Sequence, residues 1–274
     1  MSESAPLVVA TDLDGTIVRT DGTLSARTVA ALTRVEQAGA TLVIVTGRPP
    51  RWMAGIAEAV AHHGLAICAN GALVYDLHTE QVVEQYLIPV MALREAVARL
   101  RKALPDLGFA VEHPDGIVYE STYDRAGWDR SVMAGNLSDE AGLFARPCAK
   151  LLARHPSMDA DELLKCALPL VEDIVTPTHS NGTRLLEISA LGVSKATSLA
   201  RLCAKRGIAA ADVVAFGDMP NDLPMLAWAG RPYAVANAHP GVLAAVTCHT
   251  ASNDDDGVAQ VLERLFPIPP RGYR

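Results

Sequence analysis

Apolar residues in this chain gather into short unbroken runs separated by stretches of helical period. Leu7-Val8-Val9-Ala10 is apolar and partly β-branched, and it ends just before Asp12. A short run without alternation suits a strand buried on both faces of a parallel sheet. Ser25 to Ala38 reads as a helix: Ser25 is a suitable N-cap, Val29, Leu32 and Val35 recur at helical spacing, and Gly39 closes it. Thr41 to Val45 is a second apolar strand, followed by Thr46-Gly47-Arg48 and a helix around Trp52 to Ala61. Ala66-Ile67-Cys68 is a third strand, ending at Asn70-Gly71. The order strand, helix, strand, helix, strand predicts an α/β fold with a parallel sheet. Ligands of such sheets bind at the carboxyl ends of the strands. Asp12, Thr46 and Asn70 are therefore expected at one edge.

The middle of the chain reads differently. From about Glu80 to Glu187 polar residues no longer follow the strands in this way. Leu93 to Leu104 has helical period, Phe109 to Val111 and Gly116 to Glu120 suggest a hairpin, Asp159 to Leu168 a helix and Leu185 to Ile188 a strand. This predicts an inserted α+β domain. The first pattern then resumes: a helix from Ser194 to Lys205 with Ser194 as N-cap, a strand from Val213 to Phe216 ending at Gly217-Asp218, a helix from Leu223 to Ala229, and a strand from Tyr233 to Ala236 ending at Asn237. The expected division is a core of residues 1–82 and 189–274 and an insert of residues 83–188. The proline-rich tail after Phe266 is expected to be loose.

Composition narrows the function classes. A length of 274 residues suffices to bury a sizeable core. The net charge of −7 argues against a nucleic acid or an acidic membrane as partner, since those need clustered Lys and Arg. Cys68, Cys148, Cys166, Cys203 and Cys248 are odd in number and lack CxxC spacing, so buried reduced thiols are expected rather than a disulfide framework or zinc knuckle. Met1 to Pro6 has no basic region, and no run approaches the ~18 apolar residues of a membrane helix. The expected location is the cytoplasm.

Four segments carry candidate chemistry. In Asp12-Leu13-Asp14-Gly15-Thr16 two carboxylates follow a buried strand, and the glycine permits a turn that aims amides at an anion. One carboxylate can attack phosphorus while the other manages protons; the plainer reading is a turn former. Thr46 can donate to a phosphoryl oxygen or cap the next helix. Lys195 falls in the first turn of a helix, where the dipole disfavours a cation, which hints at an anionic partner; a lone lysine is otherwise a solvated surface residue. Gly217-Asp218-Met219-Pro220-Asn221-Asp222 places hard oxygen ligands after another strand, suited to Mg²⁺ or else to an acidic helix cap. His62-His63 are adjacent and no HExxH occurs, so a zinc hydrolase is set aside; no GxxxxGK[ST] phosphate loop occurs either.

The order DxDGT, TGR, a distant Lys and GDxxND resembles the haloacid dehalogenase (HAD) superfamily of phosphotransferases. Its Cof-type subfamily, with a class IIB cap, is the closer likeness through TGRP, ANGA (Ala69 to Ala72), GVSK, GDMPNDLPML, VANA and ASNDDDGVA (Ala251 to Ala259). The matching segments run from near Leu7 to about Leu262. The resemblance implies a Rossmann-like core with a parallel sheet and an inserted α+β cap domain. It implies a Mg²⁺-dependent phosphatase working through an aspartyl-phosphate. Asp12 would be the nucleophile and a metal ligand. Asp14 would be the acid and base, its carbonyl on the metal, and burial near other carboxylates would keep it protonated when the leaving group departs. Thr46 and Lys195 would hold phosphoryl oxygens, and Asp218 would complete the metal ligands. Asp222 and Asn221 would orient metal-bound water or the phosphate side. Leu13, Gly15, Gly47, Arg48, Asn70 and Asn221 would line the substrate's phosphate and its surroundings.

The implied partner is a small phosphorylated metabolite, by default a sugar phosphate, with pyridoxal phosphate or flavin mononucleotide also open. A monomer or small homo-oligomer is expected. His113, Asp115, Tyr119, Tyr123, His179 and Arg184 are the cap residues that stand out as candidate contacts, although each reads first as a surface or packing residue. Two other readings stay open within enzymes: a phosphomutase, and a dedicated sucrose-phosphate or mannosylglycerate-phosphate phosphatase. A non-catalytic phosphate-ligand sensor is a third, although such a relative should have lost Asp12, Asp14 or Asp218.

Overall fold

The structure is a computed structural model describing residues 5–124, 135–180 and 184–267. Val8–Thr11 (β1) is followed by Ala26–Gln37 (α1), Thr41–Val45 (β2), Ala54–Ala59 (α2), Leu65–Cys68 (β3), Leu73–Asp76 (β4) and Gln81–Gln85 (β5). Next come Val90–Ala103 (α3), Gly108–His113 (β6), Gly116–Tyr119 (β7), Asn136–Leu137 (β8), Glu140–Leu143 (α4), Lys150–Arg154 (β9), Ala160–Val171 (α5), Val175–Thr178 (β10) and Leu185–Ala190 (β11). Lys195–Lys205 (α6), Val213–Gly217 (β12), Leu223–Trp228 (α7), Arg231–Val235 (β13), Pro240–Ala245 (α8), His249–Thr250 (β14) and Gly257–Leu265 (α9) complete the order.

Among the described residues these strands build two sheets. The larger runs β14-β13-β12-β1-β2-β3-β4-β5 and is parallel from β14 to β3. β1 lies inside it, with Val9 opposite Val214 on one side and Leu42 on the other. Every residue of β1 is buried, as expected of a strand covered on both faces. The short unbroken runs read from the sequence are these strands. The hairpin β4–β5, which extends the sheet antiparallel, was not anticipated. β5 is an exposed edge strand reading Gln-Val-Val-Glu-Gln, so it lacks a buried run to announce it. The expected helix around Trp52 to Ala61 is a turn of 3₁₀ helix at Pro50–Trp52 followed by α2, and the backbone leaves helical geometry at Ala61.

The smaller sheet runs β10-β11-β9-β6-β7-β8. Its β9 and β10 were also not anticipated. Val175-Thr-Pro-Thr carries a proline, which a sheet accepts at its edge, where β10 lies. Side chains alternate between the two faces of this sheet. Phe109, Val111, Leu151, Ala153, Leu186 and Ile188 share one apolar cluster with Leu93 and Val97 of α3 and Leu163 and Ala167 of α5. The opposite phase of the same strands presents Glu112, Lys150 and Glu187, all buried. The tail after Phe266 lies, from residue 268, outside the described residues. No helix among the described residues is long and apolar enough to cross a membrane.

α6 is docked tightly against the end of β3. Ser198 Oγ donates to the Gly71 carbonyl at 2.7 Å. Gly71 has φ +108°, and a Cβ there would stand 2.3 Å from the Ser194 carbonyl oxygen. Gly71→Ala should therefore lower unfolding free energy by about 2–4 kcal/mol, combining overpacking with a disfavoured backbone. Gly39→Ala, also at positive φ but with nothing within 4 Å of the new atom, should cost about 1 kcal/mol. Denaturant melts of both variants check this; equal losses would mean the α6 contact is not tight.

Candidate active site

Four segments meet at the carboxyl edge of the larger sheet. Asp12 follows β1, and its amide is tied to Phe216 O of β12 at 3.0 Å. Lys195 is the first residue of α6, whose start is fixed by a capping box between Ser194 and Thr197. Beyond β12, the Asp222 carboxylate accepts the amides of Asp218 and Met219 at 3.1 and 3.0 Å, which folds the acidic turn back on itself. Lys195 Nζ lies 2.9 Å from Asp12 Oδ1 and 2.7 Å from Asp222 Oδ1. Asp12, Asp218 and Asp222 each bring a carboxylate oxygen within 4.8 Å of the others, and all three are buried. Thr16 Oγ1 donates to Asp218 Oδ1 at 2.8 Å. Gly15, at φ +77°, leaves the room: a Cβ there would come within 2.4 Å of Asp218 Oδ2.

Three buried carboxylates face one ammonium. Burial pushes the Asp12 carboxyl well above its ordinary value; Lys195 pulls it back, while Asp222 and Asp218 push it further up. Burial, reinforced by Asp222, pushes Asp218 up to about 7 against the pull of Thr16 and Lys195. For Lys195, burial works against the charge, yet Asp12 and Asp222 outweigh it and raise the ammonium above its ordinary value. The cluster is thus short of positive charge. A compact set of hard oxygen donors with that deficit fits a divalent cation of the Mg²⁺ kind.

Thr46 and Asn70 reach the same edge. The Asn70 amide donates to Thr46 O at 3.0 Å, and Asn221 Nδ2 donates to Asn70 Oδ1 at 3.1 Å. Thr46 Oγ1 accepts the amide of Arg48 at 3.0 Å, so the hydroxyl also organises the turn that follows it. Gly47 sits in that turn, where a Cβ would be 3.3 Å from Asn70 Oδ1. Leu13 is buried beneath the loop, and Asn237 Nδ2 donates to Gly15 O at 2.7 Å.

Asp14 departs from expectation. Its side chain is 58% exposed, so the burial invoked to keep it protonated is missing. It turns away from the other carboxylates toward Arg48, whose Nε and Nη2 donate to its two oxygens at 2.8 and 2.5 Å. Arg48, expected to line the substrate, is in this state the partner of Asp14.

Of the cap residues singled out in the sequence, His113, Asp115, His179 and Arg184 find their partners away from the carboxylate cluster. His113 contacts the Pro147 carbonyl, Asp115 pairs with Arg146, His179 with Asp161, and Arg184 with the Pro156 carbonyl. Tyr119 and Tyr123 are buried with Ala110 and Leu152. His179 also meets His239 of a core loop edge-on, with ring centroids 6.2 Å apart, but two further links from the smaller sheet to the core loops were missed. Lys150 Nζ donates to the Gly47 carbonyl at 2.9 Å and pairs with Glu187, and Arg51 pairs with Glu112. Their one signal was a charged residue set within or beside an apolar strand run. The expectation of buried thiols needs a similar correction: all five cysteines are free, but Cys166 and Cys248 are exposed.

A family model for haloacid dehalogenase-like hydrolases matches residues 9–262. Pyridoxal phosphate phosphatase YbhA of Escherichia coli strain K12 is 28% identical over 270 residues, covering 93% of this chain and 97% of that protein. HMP-PP phosphatase of Cronobacter sakazakii is 30% identical over 242 residues, 85% of each chain. A solved phosphatase of the haloalkanoate enzyme superfamily from Bacteroides thetaiotaomicron has a similar fold, with a TM-score of 0.81 at 24% identity over 95% of each chain.

The charge deficit has a pH signature. A carboxyl with a raised folded-state value contributes stability that is lost as pH climbs from its unfolded value to its folded one. For Asp218 that window runs from 3.8 to about 7, and Asp12 acts in the same direction. Carboxylates with lowered values finish titrating below about pH 5. The metal-free protein should therefore melt lower at neutral pH than near pH 5. Asp218→Asn should flatten the slope, and millimolar Mg²⁺ should reverse the loss at neutral pH. A melting temperature that rises steadily over this window would sink the charge account.

Proposed function

The chain belongs to the haloacid dehalogenase-like hydrolases and is a phosphatase of small phosphorylated metabolites, and from that premise we propose that it works through a covalent aspartyl-phosphate on Asp12 with Mg²⁺ as cofactor. The observation that carries this is the Lys195 ammonium bridging Asp12 and Asp222 beside Asp218.

The Asp12 carboxylate oxygen attacks phosphorus, and the bond from phosphorus to the leaving oxygen breaks. Lys195 steers Asp12 and offsets repulsion between its carboxylate and the phosphate dianion. Thr46 and the amides of Leu13, Asp14 and Gly47 hold the phosphoryl oxygens. Asp12, Asp218 and the Asp14 carbonyl are the groups that would hold Mg²⁺, which when bound supplies positive charge against those oxygens. Asp222 fixes Lys195, and Asn221 and Asn70 brace the substrate side.

Asp14 gives a proton to the departing oxygen, then takes one from the water that hydrolyses the acyl phosphate. Its exposed position at the mouth suits both exchanges. The fork with Arg48 holds the carboxylate at the mouth, where water reaches it. That fork must open for the first step, and it frees Arg48 toward the incoming substrate.

Residues 83–188 act as the cap that closes over the site and excludes water. The substrate is a small phosphate ester, a sugar phosphate or a phosphorylated heterocycle; the likeness to a pyridoxal phosphate phosphatase makes pyridoxal phosphate a first compound to test. A cytoplasmic location fits five free cysteines.

Phosphate release across a panel of sugar phosphates and pyridoxal phosphate, with Mg²⁺ and with a chelator, tests the reading; turnover indifferent to the chelator would remove the metal from it. Asp12→Asn should lower turnover by more than about a thousandfold while the melting curve stays cooperative. Acid quenching of the wild type should trap phosphate on Asp12. Unchanged turnover in the variant would refute the covalent route.

A further inference from the structure

We propose that Lys150 is a positioning residue for phosphoryl transfer: from the smaller sheet it grips the Gly47–Arg48 peptide and through it aims the hydroxyl of Thr46. This rests on the reading that Thr46 holds a phosphoryl oxygen.

The peptide joining Gly47 to Arg48 is held at both ends. Its carbonyl accepts Lys150 Nζ at 2.9 Å, and its N–H donates to Thr46 Oγ1 at 3.0 Å. A peptide unit is planar, so a cation that fixes the carbonyl also fixes where the N–H points. The cation further polarises the unit and strengthens the N–H as a donor. With that N–H on one side of its oxygen, Thr46 must turn its own hydrogen elsewhere. Among the described residues no acceptor takes it. The hydroxyl is thereby set to donate outward, as a phosphoryl oxygen requires.

The grip is built into the smaller sheet. Lys150 on β9 and Glu187 on β11 are each 4% exposed and pair with one another. Burial alone would push Glu187 up, but the Lys150 ammonium, with smaller help from neighbouring hydrogen bonds, holds the carboxyl below its ordinary value. A buried ion pair is a poor way to hold two strands together, since apolar side chains of like volume serve as well or better. Here the ammonium has a third partner, and that partner belongs to the Thr46 turn. The Glu187 carboxylate lies 3.5 and 3.7 Å from where a Gly47 Cβ would be, which is ordinary contact distance, so the smaller sheet and the Thr46 turn meet closely here. Four residues on, Arg51 is held by Glu112 of β6, next to Lys150 in register. Both ends of segment 47–51 are thus fastened to the smaller sheet, and the phosphate grip takes its shape only when that sheet is seated on the core.

The test is a double-mutant cycle on p-nitrophenyl phosphate and pyridoxal phosphate, with wild-type turnover measured first; a wild type inactive on every phosphate ester refutes the proposed function itself. Lys150→Met alone strands a buried Glu187, so the probe is the paired variant Lys150→Met/Glu187→Gln. It should lower kcat by roughly ten- to a hundredfold, by a similar factor on both substrates, with KM changed less than about threefold. In a Thr46→Ala background the same pair should cost less than about twofold more, because its effect passes through Thr46. Additive losses, a change confined to KM, or an unchanged kcat would overturn the proposal. If the paired variant does not fold, Lys150→Gln, whose shorter amide satisfies Glu187 but falls short of Gly47, takes its place with the same criteria. Failure of both to fold would assign Lys150 a structural role and overturn it too.

Discussion

The site depends on one buried ammonium. Lys195 sits between Asp12 and Asp222 with almost no access to water, and among the described residues it is the one positive side chain paired within a group of three carboxylates. Removing charge from water is expensive unless partners are close and well aimed. The fold supplies that aim by delivering each partner from a rigid strand end or helix start rather than from a long loop. Asp12 hangs from β1 and is pinned to β12. Lys195 begins α6 behind a capping box, and Asp222 is held by two amides of its own turn. Close approach at Gly15 and Gly71 follows from the same need, since each is a point where a side chain would drive these segments apart.

The balance inside the cluster is deliberately incomplete. One ammonium cannot neutralise three carboxylates, and burial lifts Asp12 and Asp218 as a result. A site satisfied by its own side chains would gain little from a cation or a phosphate. In the proposed mechanism, a site left short of positive charge would bind a divalent ion and hold it where phosphoryl oxygens arrive. On that reading, the stability lost to the uncompensated carboxylates would be recovered as affinity and preorganisation when the cation binds.

How much of this was legible in the sequence follows from where each signal comes from. β1, β2, α1 and α6 are dictated by local chemistry: unbroken apolar runs, Ser25 and Ser194 as caps, Gly39 as a stop. They fall within a residue of where the pattern put them. The awkward placement of Lys195 at a helix start correctly implied an anion beside it. β5 was silent because an exposed edge strand carries no buried run. β10 was masked by Pro177, which only an edge tolerates. Lys150 and Glu187 were illegible for a deeper reason. The sequence around Glu187 says no more than strand and that around Lys150 not even that, and the meaning of each lies across the gap between two sheets that no spacing along the chain reveals.

Asp12 and Asp14 show the limit most clearly. They are identical side chains two residues apart, and spacing assigns them a shared environment. The backbone turn at Gly15 and the reach of Arg48 separate them. One is buried among charges, the other is more than half exposed at the mouth with a guanidinium across it. That separation suits the proposed chemistry better than the shared burial expected from the motif. A nucleophile must be desolvated and fixed in line with phosphorus, whereas a group that gives a proton to one oxygen and takes one from another must move and meet water. For Asp14, an exposed position with an arginine across it would allow the two proposed roles in turn, which permanent burial would confine to one.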